Sequence, residues 1–254
     1  MERVNVGLVG LGTVGSGFYE LMSRNGEHFA SRMGTSVRIA RVAEVDTSRA
    51  EQMVPAELLV TDYRRIVEDE GIQVVIELVG GTTVAYDIIR SAIEAGKHVI
   101  TANKALLALR GAELFGLARA REVELKFEAA VGGGIPIIKV VRESLVGNRI
   151  DKVMGILNGT SNYILTHMSE SGLSFQEALR QAQEAGFAEA DPALDVGGGD
   201  AAHKISLLKS SSPPRRVSPS SSSPPPCSST ASRRSPCFPR WCRPNTPSPP
   251  CATR

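Results

Sequence analysis

The sequence predicts an α/β protein built on a Rossmann-type, doubly wound parallel sheet. Three observations lead there. A glycine-rich turn closes a short apolar run at the N-terminus. Short apolar runs then alternate with stretches of helical periodicity through residues 1–140. Those runs are nearly continuous rather than alternating, as expected of parallel strands covered on both faces.

Residues 4–10 read as the first strand, and Val14, Phe18, Leu21 and Met22 recur after it at helical spacing. A second strand is expected over 37–45 and a helix over 63–69. The run QVVIELV, 73–79, is a β-branched strand closed by Gly80 and Gly81. Residues 86–95 form a helical pattern that stops at Gly96 and leads into a strand over 98–101. A helix over 103–120 and a strand over 124–130 complete this part. After Gly134 the pattern changes: 150–157 reads as a strand and 161–168 as the start of a helix. Ser174 and Glu177 form a capping box for a helix that stops at Gly186, and 200–208 is a further helix. The expected organisation is an NAD(P)-binding domain (1–135), a truncated α+β substrate domain (136–208) and a tail (209–254).

The tail is unlike the rest. It holds twelve of the fifteen prolines, long serine runs and all four cysteines (Cys227, Cys237, Cys242, Cys251). Without apolar periodicity it cannot offset its ordering entropy, and disorder is expected. Of 29 Lys and Arg, eight lie in this tail, which has no acid; the remaining 21 face all 27 Asp and Glu in 1–208. The net charge of +2 therefore averages an acidic body and a basic tail and does not point to nucleic acid. The body has no cysteine, hence no disulfide framework or thiol nucleophile, and no His/Cys cluster with zinc-ligand spacing. No signal peptide or membrane-spanning run is visible, so a cytoplasmic location is expected.

Gly10, Gly12 and Gly15 make G-x-G-x-x-G between a strand and a helix. Such glycines permit a tight turn, close approach of backbone to pyrophosphate, and close helix–strand packing, while the helix N-terminus presents N–H groups to the phosphates. The second strand ends in Glu44-Val45-Asp46, where an acid can bind the adenosine ribose of NAD. Asp46 is the preferred ribose ligand. Arg41 and Arg49 lie close by and would favour NADP, so NAD and NADP both stay open.

Four further segments carry a resemblance. They are GKHVITANKALL (96–107), EAAVGGGIPII (128–138), GILNGTSNYIL (155–165) and GFAEADPALDVGGGDAAHK (186–204). With the glycine turn, they make residues 1–208 similar to the homoserine dehydrogenase family. The resemblance implies NAD(P)-dependent interconversion of L-homoserine and L-aspartate 4-semialdehyde, in threonine, isoleucine and methionine biosynthesis, by a homodimer. It implies that Lys204 is the catalytic lysine and that Lys104 lies beside nicotinamide and substrate. It implies Glu189 and Asp200 as substrate-binding carboxylates. Glu128, Val131, Gly133 and Ile135 would hold a monovalent cation, Na+ or K+, and Leu11, Thr13 and Val14 would run along the cofactor.

The residue types suit the reaction. Hydride arrival at an aldehyde builds charge on oxygen, which a positioned ammonium can stabilise and protonate. Without the resemblance, Lys204 and Asp200 would read as a surface pair four residues apart, Lys104 as a solvated helix-start lysine, and Glu189 as a loop acid. Three glycines stand at 197–199, where the family usually has a Glu at the first position and a bulkier residue at the third. From about residue 205 to 209 the family pattern stops, and the tail has the composition of a GC-rich gene read out of frame. Two other readings compete. One is an oxidoreductase of the glucose–fructose oxidoreductase type, although Thr101-Ala102-Asn103-Lys104 replaces its Glu-Lys-Pro. The other is a truncated form that binds nucleotide without turnover.

Overall fold

The computed structural model describes residues 3–211; the tail and its cysteines lie outside the described residues. Six parallel strands form one sheet in the order β3-β2-β1-β4-β5-β6. They are β1 Arg3–Val9, β2 Ser36–Ala43, β3 Leu59–Val60, β4 Val74–Glu77, β5 His98–Thr101 and β6 Leu125–Lys126. The helices are α1 Thr13–Met33, α2 Thr47–Ala50, α3 Arg64–Val67, α4 Val84–Glu94, α5 Lys104–Ala120, α6 Ile137–Lys139, α7 Gly159–Ser171, α8 Phe175–Glu184, α9 Ala193–Val196 and α10 Gly199–Ser211.

The strands' apolar residues divide between two cores because neighbouring side chains point to opposite faces. Val6, Leu8, Ile39, Val42 and Ile76 pack with Phe18 and Met22 of α1. Val75 and Val99 pack with Ile88, Ile89 and Ile93 of α4, Leu106 and Leu114 of α5, and Leu207 and Leu208 of α10. Thus α10 is carried on the same core as the sheet, and it packs along α5. Leu21, expected on the buried face of α1, is exposed.

The strand expected over 124–130 shrinks to β6, because Glu128–Ala130 turns into a 3-10 helix. The strand expected over 150–157 is corrected: it does not form among the described residues. Its backbone pairs with no neighbouring strand, and Met154 and Ile156 are 78% and 77% exposed. A β-rich sequence needs a ladder partner to become a strand. Half of the capping box forms: Glu177 N–H donates to Ser174 Oγ at 3.2 Å at the start of α8, while the Glu177 carboxylate accepts from Arg180 and Gln181 instead of closing the box. The three glycines make a tight turn between α9 and α10, with Gly198 at φ +78°. No described helix is long and apolar enough to cross a membrane.

Candidate active site

Strand order reverses between β1 and β4, and in doubly wound sheets this is where a crevice opens at the strands' C-terminal ends. Gly10 follows β1 at φ +94°, and a Cβ there would lie 2.8 Å from the Leu78 carbonyl. A Cβ on Gly15 would come within 2.0 Å of the Gly10 oxygen, so α1 sits directly on the turn. Gly12, by contrast, opens onto space: its Cβ would meet nothing within 4 Å. No side chain caps α1 and no acid lies in its first turn. Its first N–H groups and the positive end of its dipole fit a phosphate-bearing cofactor. Thr13 and Val14 are exposed at this terminus, whereas Leu11 is buried.

Glu44 is the first residue after β2. Its carboxylate accepts from Leu11 N–H at 2.6 Å and Val45 N–H at 2.8 Å, tying the glycine turn to the second strand. With Gly10 and Gly12 it lines a cleft of about 300 Å3. Asp46 is exposed and accepts from Ser48 N–H (3.1 Å) and Oγ–H (2.6 Å), at the entry to α2. Of the two acids, Glu44 is therefore the one bonded to the glycine turn. Arg41 is engaged by Asp69 at 3.0 Å, and the side chain of Arg49 lies outside the described residues.

A second cleft, of about 530 Å3, is lined by Val14, Glu77, Lys104, Ala130 and Lys204. Lys104 opens α5, whose N-cap is Asn103: Leu106 N–H donates to Asn103 Oδ1 at 3.1 Å, and Asn103 Nδ2 donates to the Gly81 carbonyl at 2.6 Å. Lys104 Nζ pairs with Asp200 Oδ1 from far along the chain. Lys204, one turn on from Asp200 in α10, pairs with Oδ2 at 2.7 Å and donates to the Leu157 carbonyl at 2.5 Å. Asn158 Nδ2 donates to Asp200 Oδ2 at 2.9 Å and to Asp195 Oδ1 at 2.8 Å. The structure thus brings Lys104, Asp200 and Lys204 together.

Burial pushes the Asp200 carboxyl up, but hydrogen bonds from Asn158, Lys104 and Lys204 outweigh this and bring its pKa down to about 2. The folded value lies below the ordinary value of 3.8, so the charged group stabilises the fold above that pH. This contribution, about 2 kcal/mol, is lost as pH falls from about 4 through 2. Urea unfolding across that window should show a loss that Asp200→Asn lacks.

Glu189 is not brought to this cluster. It is exposed after α8, and its backbone carbonyl accepts from Gln183 Nε2 at 3.1 Å. Glu128 accepts from the Ile138 and Lys139 N–H groups at 2.9 and 3.0 Å. Val131, Gly133 and Ile135 follow it on the same turn before α6. No group of three or more His, Cys, Asp or Glu among the described residues could hold a metal ion. Asn158 and Asp195 were not singled out by the sequence reading. Asn158 had one local signal, an Asn immediately before a helix, and it does cap α7: Ser161 N–H donates to its Oδ1 at 2.7 Å.

Comparison with known proteins places the chain. The family model "homoserine dehydrogenase, NAD binding domain" matches residues 10–128, and the model "homoserine dehydrogenase" matches 136–223. This chain belongs to the homoserine dehydrogenase family. The homoserine dehydrogenase of Neisseria gonorrhoeae is 47% identical over 210 residues, which cover 83% of this chain and 48% of that protein. The crystal structure of a homoserine dehydrogenase from Thiobacillus denitrificans superposes with a TM-score of 0.78 at 46% identity, covering 83% of this chain and 49% of that one. A putative homoserine dehydrogenase from Archaeoglobus fulgidus gives 0.70 at 33% identity, covering 82% and 68%. The chain spans about half the length of the curated homoserine dehydrogenases it matches.

Proposed function

We propose that the chain carries the nucleotide-binding and proton-transfer parts of an NAD(P)-dependent homoserine dehydrogenase, which interconverts L-homoserine and L-aspartate 4-semialdehyde. The observation that carries this reading is the meeting of Lys104 and Lys204 on buried Asp200, beside a cleft that reaches Val14 in the first turn of α1. The nicotinamide, when bound, supplies or accepts the hydride. Lys204 holds the proton at the substrate's side-chain oxygen, and Lys104 supports the charge that develops there. Asp200, whose two oxygens are engaged by Lys104, Lys204 and Asn158, keeps both ammonium groups in place. The residues proposed along the cofactor are Gly10, Leu11, Gly12, Thr13, Val14 and Gly15, with Asp46 or Glu44 at the ribose. Glu189 is the carboxylate proposed to meet the substrate's own ammonium. Glu128, with the carbonyls of Val131, Gly133 and Ile135, would hold a monovalent cation.

A second reading is that the chain binds nucleotide without turnover. One assay separates them: L-homoserine-dependent reduction of NAD+ and NADP+ by the purified chain, with cofactor binding measured in parallel. Turnover establishes the reaction and the preferred cofactor. Binding without turnover supports the second reading, and absence of both sinks the proposal for this chain.

A further inference from the structure

Glu77 ends β4 and is fully buried, at 0% exposure, on the floor of the larger cleft. Its Oε1 accepts from Val79 N–H at 2.8 Å, and its Oε2 accepts from the Thr101 hydroxyl at 2.7 Å. One oxygen is thus held by a backbone N–H and the other by a hydroxyl. Both donors are neutral, and no described Lys, Arg or His forms an ion pair with Glu77. Asp200, the other buried acid, has two lysines. A buried carboxylate without a cation is costly, and its field acts strongly on charge placed nearby in a low dielectric.

We propose that Glu77 is the electrostatic counterweight to a cationic ring in this cleft, making the site favour oxidised, positively charged nicotinamide over its neutral reduced form. The inference rests on the nucleotide reading above. The two forms carry the same phosphates and sugars and differ in the charge and planarity of one ring. A fixed negative charge therefore acts on the difference between their affinities, whereas the glycine turn acts on both alike. Glu77 also has a purely mechanical role to exclude. Thr101, which it holds, accepts from Asn103 N–H at 2.9 Å and so helps set the start of α5.

The test titrates the full chain with NAD+, NADH, NADP+ and NADPH, by calorimetry and by reduced-nicotinamide fluorescence. In Glu77→Gln the ratio of dissociation constants, oxidised over reduced, should rise about tenfold. Thr101→Val keeps the charge and loosens the loop, so it should weaken both forms alike. An unchanged ratio in Glu77→Gln, or the same rise in Thr101→Val, overturns the proposal. Should Glu77→Gln fail to fold, Glu77→Met combined with Thr101→Val removes the charge and its hydroxyl partner together and should show the same rise. An unmodified chain that binds neither form overturns the nucleotide reading and this inference with it. Binding of both forms with a ratio indifferent to Glu77 overturns this inference alone.

Discussion

Lys204→Ala is expected to lower homoserine-dependent turnover by roughly 10²–10⁴-fold, the range for losing a positioned proton donor. Its cost in stability should be small. Asp200 would still be paired with Lys104 and bonded to Asn158, so no buried charge is stranded. Asp200→Ala should behave differently. It leaves Lys104 and Lys204 facing one another without their common carboxylate, and breaking such a buried pair costs roughly 3 kcal/mol. Comparing kcat/KM and urea midpoints for the two variants separates chemistry from architecture. A Lys204→Ala enzyme that keeps its turnover would move the proton transfer to Lys104.

Gly12→Ala and Gly15→Ala form the second contrast. At Gly12 the new methyl meets no protein atom, so stability should stay within about 0.5 kcal/mol. That methyl occupies the space through which a pyrophosphate would approach the backbone, and affinity for NAD(P) should fall by about 100-fold. At Gly15 the methyl would collide with the Gly10 carbonyl, forcing α1 off the turn at roughly 3 kcal/mol. Thermal unfolding alongside cofactor titration should therefore show one variant that folds but does not bind, and one that does neither well. Equal stability losses in both would mean that the opening at Gly12 is needed by the fold itself.

Much of the nucleotide half is legible because its signals are local. An apolar run, a glycine triplet and a helical period each act within one element, and the strand over 98–101 needs nothing more; outside that half, the cap at Ser174 is legible for the same reason. The pairing of Lys104 with Asp200 is invisible to periodicity: it depends on α10 packing along α5, and only the motif resemblance brought both residues forward. The tie between Glu44 and the glycine turn is hidden for a related reason: Glu44 and Asp46 both stand at the end of the second strand, and only the fold shows that it is the Glu44 carboxylate that reaches the Leu11 N–H. The segment 150–157 has strand-like composition, but composition cannot supply a neighbour, and a strand is a property of two chains of atoms rather than one.

That same segment ends at Leu157, whose carbonyl holds the Lys204 ammonium. The placement of the proposed proton donor is therefore anchored to backbone with no ladder beneath it, while its other anchor, Asp200, is locked in the core. The lysine stands between a support inside a helix and one in irregular backbone, whose Leu157 side chain packs on the core of the sheet. Any binding event that shifts this backbone would carry the ammonium with it and so alter the proton transfer.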